Sequence, residues 1–69
     1  MIKCSVIVSL VDDVTVYGFD FFHENEERPF RREEDVFDNE EAANELAGLI
    51  NEGDVEEIHL DDILEDAVN

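Results

Sequence analysis

Apolar and polar residues alternate from the start of the chain. Ile2, Cys4, Val6, Val8 and Leu10 are separated by Lys3, Ser5, Ile7 and Ser9. That period of two is the signature of a strand with one buried face. After Asp12-Asp13 a second run sets Thr15, Tyr17, Phe19 and Phe21 against Val14, Val16, Gly18 and Asp20. A two-residue loop at Asp12-Asp13 makes paired positions sum to 25. Leu10 then faces Thr15, Val8 faces Tyr17, Val6 faces Phe19 and Cys4 faces Phe21, with the strongest apolar residues on one side. A slip of one residue would divide them between two faces, so this hairpin register over residues 2–23 is strongly preferred. The other face pairs Ser5 with Asp20, Ile7 with Gly18 and Ser9 with Val16, a mixed and mostly wet surface.

Residues 24–29 form a polar loop closed by the only proline, Pro29. Residues 30–37 are expected to form a third strand. Phe30 and Val36 share a phase with Arg32 and Glu34 between them, a pattern suited to a charged edge strand. A helix over 39–51 follows, opened by Asp38 with Glu41 three residues on, the arrangement of a capping box. Ala43, Leu46, Ala47 and Ile50 fall on one stripe, widened by Ala42 and Leu49, and Gly53 is its natural stop. Gly48 inside this helix implies close packing or simple tolerance. A second helix over 57–67 repeats Leu60, Ile63, Leu64 and Ala67 at helical spacing, with Val55 and Ile58 as anchors ahead of it. The expected architecture is a single α+β domain: a small antiparallel sheet, made of the N-terminal hairpin plus an edge strand, covered on one face by two short helices.

Charge changes the picture more than length does. Twenty-one acids stand against four basic residues, a net −17. High charge with low hydrophobicity keeps chains unfolded, but 43% of this chain is apolar and patterned, with five Phe, so a folded domain is expected. The acids are uneven: residues 1–23 carry a net −2, residues 24–41 a net −6 and residues 42–69 a net −9. With one cysteine, no internal disulfide can form. No basic segment leads into an apolar run, and no stretch nears the roughly 20 apolar residues needed to cross a bilayer. These features point to an intracellular protein with no membrane partner.

From residue 49 the run Leu-Ile-Asn-Glu-Gly-Asp-Val-Glu-Glu-Ile-His-Leu-Asp-Asp-Ile-Leu-Glu-Asp (49–66) resembles the C-terminal signature of a family of short uncharacterised Firmicutes proteins. There a helix ends in Leu-Asn, and an Ile-His-Leu step opens a final helix. Tyr17-Gly18-Phe19 and Asp35-Val36-Phe37-Asp38 fit the upstream pattern more loosely. Where the family has Ser-Pro before Ile-His-Leu, this chain has Glu56-Glu57. The resemblance implies a fold and a bacterial or phage source, and so a place in the cytoplasm of a bacterial host cell, with no activity attached.

Catalytic chemistry finds little purchase. His59, with Asp62 at i+3 and Asp66 at i+7, lacks the additional nitrogen or sulfur ligands of a transition-metal site. A structural role near the helix start is the expectation. His23 is expected at the rim of the sheet. Cys4 lies on the buried face, where a thiol behaves as a small hydrophobe. Paired carboxylates, including Asp12-Asp13 and Glu33-Glu34-Asp35, do acid–base work only where burial separates their pKa values. No catalytic residues, metal ligands or cofactor are expected, and the chain reads as a non-enzyme.

Three explanations of the acid compete. Solubility needs a net charge of magnitude only about 2–8 in a small domain. A high-salt setting fits the single lysine but not five Phe, five Ile and five Asn. The third is imitation of nucleic acid. A globule of this mass exposes roughly 4,400 Å², or about one acid per 210 Å², against about one charge per 110 Å² for B-DNA treated as a cylinder. Concentrating the acids on one face would close that gap. In size and charge the chain resembles acidic phage anti-defence inhibitors of the anti-CRISPR type. The expected contact residues are Glu33, Glu34, Asp35, Glu40 and Glu41 with Asp61, Asp62, Glu65 and Asp66. Their partner would be a basic nucleic-acid-binding protein; nucleic acid itself would be repelled. Arg28, Arg31 and Arg32 interrupt the field and are expected to pair with neighbouring acids, or to make contacts that phosphate mimicry alone would not provide. The alternative is a bacterial protein–protein interaction module of unknown role using the Ile58-His59-Leu60 corner, its charge incidental or serving solubility in high salt.

Overall fold

The structure, a computed structural model, describes residues 2–53 and 55–68. Strands β1 (Ile2–Val11), β2 (Val14–His23) and β3 (Arg31–Phe37) form one antiparallel sheet in the order β1-β2-β3. Helix α1 (Glu40–Glu52), a 3-10 turn (Glu57–His59) and helix α2 (Leu60–Val68) complete the chain. The α+β architecture is the expected one.

The β1–β2 register runs from Ile2 opposite His23 to Val11 opposite Val14, every pair summing to 25. Asp12 and Asp13 close it with φ of 50° and 65°. Two successive left-handed residues make the turn whose twist matches the strands, and Asp tolerates that region better than most side chains. Phe19, Phe21, Ile50 and Leu60 are fully buried, and with Ile2, Cys4, Ala43, Leu46, Ala47 and Leu64 they form the core between sheet and helices.

Val8 and Leu10 depart from expectation: they lie on the core side yet are 63% and 73% exposed. The reason is length. Ten-residue strands extend about 33 Å, close to the longest molecular dimension of 34 Å, whereas a 13-residue helix covers about 20 Å. The hairpin tip therefore projects past its cover. Leu49 and Ile58, expected to widen the apolar stripe and to anchor the second helix, are also exposed, while Val55 does pack against the core. On the opposite face Asp20 and Val16 are buried, so that surface is drier at β2 than its pattern implied.

The third strand begins at Arg31 rather than Phe30 and is irregular. Phe19 pairs with Glu33 but Tyr17 with Phe37, so extra residues bulge from β3 between them. Asp35 in this bulge has a φ of 54°. Pairing thus sets Arg31 and Glu33 on the side of Phe21 and Phe19, instead of aligning Phe30 with Val36. The bulge backbone lies directly over Gly18, where a Cβ would collide with the Glu33 carbonyl oxygen.

Helix α1 starts one residue later than expected. Asn39, not Asp38, is the cap: its side chain accepts from the Ala42 N–H at 3.1 Å. No neighbour lies within 4 Å of a Cβ built on Gly48, so tolerance rather than tight packing explains it. Gly53 ends the helix, its N–H donating to the Leu49 carbonyl at 2.8 Å.

Candidate partner-binding surface

The buried stripe of α1 dictates its acidic one. With Ala43, Leu46, Ala47 and Ile50 facing the sheet, Glu41, Glu45 and Glu52 line up on the solvent side at offsets of four and eleven residues. On α2 the buried Leu60 and Leu64 likewise turn Asp62, Glu65 and Asp66 outward. Both helices lie on the same side of the sheet, so these carboxylates share one outer layer. Glu45 and Glu52 were absent from the expected contact set; following the helical period outward from Glu41 identifies them.

Among the described residues Asp20 is the only buried acid and Glu33 the only half-buried one. The exposed acids comprise Asp12 and Asp13 in the hairpin turn and a series between residues 24 and 66. Strand β1 contains none. The accessible area is 4900 Å², so 21 acids average roughly one per 230 Å², about half the density of B-DNA. Their absence from β1 leaves the remaining surface more acidic than that average.

The nine expected contact residues are not equivalent. Arg31 Nη2 lies 2.6 Å from both Glu33 Oε1 and Asp61 Oδ1, tying β3 to the first turn of α2. These hydrogen bonds, Asp61 first and Glu33 second, hold the guanidinium pKa above its ordinary value. Glu33 and Asp61 are thus brought together, but around a shared cation that offsets one of their charges. Glu34 and Asp35 are exposed on the bulge, and Glu40 and Glu41 are exposed in the first turn of α1. The last two also sit where the helix dipole favours negative charge, which gives them a stabilising role independent of any partner.

Arg32 is engaged on the opposite face. Its Nε and Nη2 donate to the two Asp20 carboxylate oxygens at 2.6 and 2.9 Å, a bidentate pair. The hydrogen bonding holds Asp20 below the usual carboxylate value against the opposing effect of burial. Arg31 and Arg32 thus pair with acids as expected, whereas Arg28 is exposed on the loop.

The chemistry-bearing residues set aside earlier lie apart. Cys4 is buried; desolvation first, then the charge of Asp20, pushes its thiol up to about 12. His23 stacks on Phe30 with ring centroids 4.0 Å apart, and its nitrogens lie 3.9 Å from Glu26 and 3.5 Å from Glu57. The stacking, with the Phe30 N–H donating to the Phe21 carbonyl at 2.9 Å, fastens the end of the 24–30 loop to the end of β2. His59 is exposed and closes that turn, its N–H donating to the Glu56 carbonyl at 3.0 Å. No three His, Cys, Asp or Glu side chains among the described residues are grouped to hold a metal ion. No helix among them is long and apolar enough to cross a membrane.

Neither known protein families, nor curated proteins, nor solved structures yield a match to this chain. The functional reading therefore rests on the physical character of the surface.

Proposed function

We propose that this chain is a non-catalytic inhibitor that occupies the nucleic-acid groove of a basic protein, setting carboxylates where phosphates would lie. The chemistry fits a phage or mobile-element protein acting on a CRISPR effector or another defence nuclease. The observation carrying the reading is the exposed carboxylate layer of α1 and α2, formed by Glu41, Glu45, Glu52, Asp62, Glu65 and Asp66, against a β1 strand free of acid. A field of this kind accelerates encounter with a Lys/Arg-lined groove and makes association sensitive to salt. Direct binding to nucleic acid is opposed by like charge.

Affinity capture from a bacterial host lysate at low and high salt, with mass-spectrometric identification, tests this reading. A basic nucleic-acid-binding protein captured at low salt and released at high salt is the expected result. The double substitution Asp62→Lys/Asp66→Lys should remove it; Asp61 is a poorer choice because Arg31 holds it. An unchanged set of captured proteins after that reversal would count against the proposal. A second reading is favoured by one observation: Ile58, in the Ile58-His59-Leu60 corner, is 77% exposed. If Ile58→Asp alone abolished capture, that corner and not the charge would be the interface.

A further inference from the structure

Strand β1 is an edge, and its outward backbone groups can be identified. Both groups of Cys4 are taken by Asn51: Cys4 N–H donates to Oδ1 at 2.7 Å, and Nδ2 donates to the Cys4 carbonyl at 2.9 Å. Cys4 therefore points its backbone away from β2. Alternation in an antiparallel ladder turns Val6, Val8 and Leu10 the same way. The two-residue turn agrees, since it makes Val11 and Val14 a mutually hydrogen-bonded pair.

The two edges of this sheet are protected unequally. The β3 edge carries a bulge, a left-handed Asp35 and the charged run Arg31-Arg32-Glu33-Glu34, the features that discourage edge pairing. Beyond Lys3, β1 has no charge, no proline and no bulge. It presents instead the exposed side chains of Val8 and Leu10.

We propose that the free edge of β1 over Val6–Leu10 pairs antiparallel with the same edge of a second copy, joining two sheets into one. Charge selects this occupant. Identical copies of net −17 repel, but β1 is the one strand without an acid, so repulsion is weakest there. A two-fold axis at Val8 places Val8 opposite its own counterpart and Val6 opposite Leu10 of the second copy. The same register brings Lys3 alongside the Asp12-Asp13 turn of the second copy, twice by symmetry. It also ends before Cys4, so Asn51 keeps its bonds. The axis stands perpendicular to the sheet, leaving both helical layers on the same side. This inference does not depend on the proposed function.

Sedimentation equilibrium of the full chain from micromolar to millimolar tests it. The expected species has twice the 7.9 kDa mass of one chain. It should associate more tightly at about 1 M salt, where the Debye length is about 3 Å, than at about 0.15 M. Val8→Lys and Val8→Pro should each weaken association by about tenfold or more while the far-ultraviolet circular dichroism stays native. Lys3→Glu and Asp13→Lys should each weaken it, and together restore it. A monomer at every concentration and salt, or a dimer indifferent to both Val8 variants, would overturn the proposal; a double charge swap that fails to restore association would overturn the register. The Val8→Lys monomer keeps every carboxylate of the helical layer. Failure here is therefore separable from failure to bind a basic protein.

Discussion

The Asn51 side chain binds both backbone groups of Cys4, and so acts as a one-residue strand laid along the β1 edge. It couples the last turn of α1 to the start of the sheet across 47 positions of sequence. Asn51→Ala should destabilise the fold by about 1–3 kcal/mol, since two partly buried peptide groups lose their partners. Asn51→Asp should cost at least as much at neutral pH, because a carboxylate can accept from Cys4 N–H but cannot donate to its carbonyl. Urea denaturation midpoints measure both; an Asp variant as stable as wild type would contradict this reading.

Gly18 marks where the β3 bulge crosses β2. A Cβ there would strike the Glu33 carbonyl and approach Glu34 Cα to 3.0 Å. Gly18→Ala should therefore destabilise by about 1–3 kcal/mol, an overpacking penalty set by backbone that cannot rotate aside. Gly48→Ala serves as the control: nothing stands in its way, and the helix should gain up to about 1 kcal/mol. Equal effects at the two sites would refute the assignment.

The Asp20–Arg32 pair predicts behaviour in acid. Asp20 has a folded pKa below its ordinary 3.8, so its contribution is complete above that pH and is lost as pH falls through the lower folded value. Arg32→Ala removes the partner of the Asp20 carboxylate and should lower stability at neutral pH. The stability gap between wild type and Arg32→Ala should narrow below pH 3.8 as the carboxylate protonates. A gap independent of pH would show that the pair contributes no linkage.

Cys4 has the opposite sign. Its folded pKa is raised from 9.0 to about 12, so the neutral thiol's contribution is intact below pH 9.0 and disappears as pH rises toward 12. Wild-type stability relative to Cys4→Ala should decline over that window. The native thiol should also resist alkylation at pH 8, reacting only when the chain opens. Rapid modification of the folded protein would contradict the burial.

What could be read in advance follows from what is local. The hairpin register was legible because only one pairing gathers Cys4, Val6, Phe19 and Phe21 on one face, and the buried α1 stripe because Ala43, Leu46, Ala47 and Ile50 recur at helical spacing. The cap slipped by one because Asp38 and Asn39 are both good cap residues, and only the φ of the folded chain chooses between them. The exposure of Val8 and Leu10 was hidden, since it depends on how far a helix placed by Asn51 reaches along the hairpin. The β3 bulge requires a left-handed Asp35 that no periodicity announces. Within the candidate site, the exposed acids of α2 follow from its apolar stripe. The sharing of Arg31 by Glu33 and Asp61 joins two distant segments and becomes visible only in three dimensions.

Competition for a groove tests the central claim most directly. A labelled DNA duplex is bound to the basic protein captured by this chain, and its fluorescence anisotropy is followed as the chain is added. The account predicts full displacement of the duplex, weakening steeply with salt and reduced by about tenfold or more in Asp62→Lys/Asp66→Lys. A ternary complex in which duplex and chain are held together, or displacement untouched by the double reversal, would contradict it.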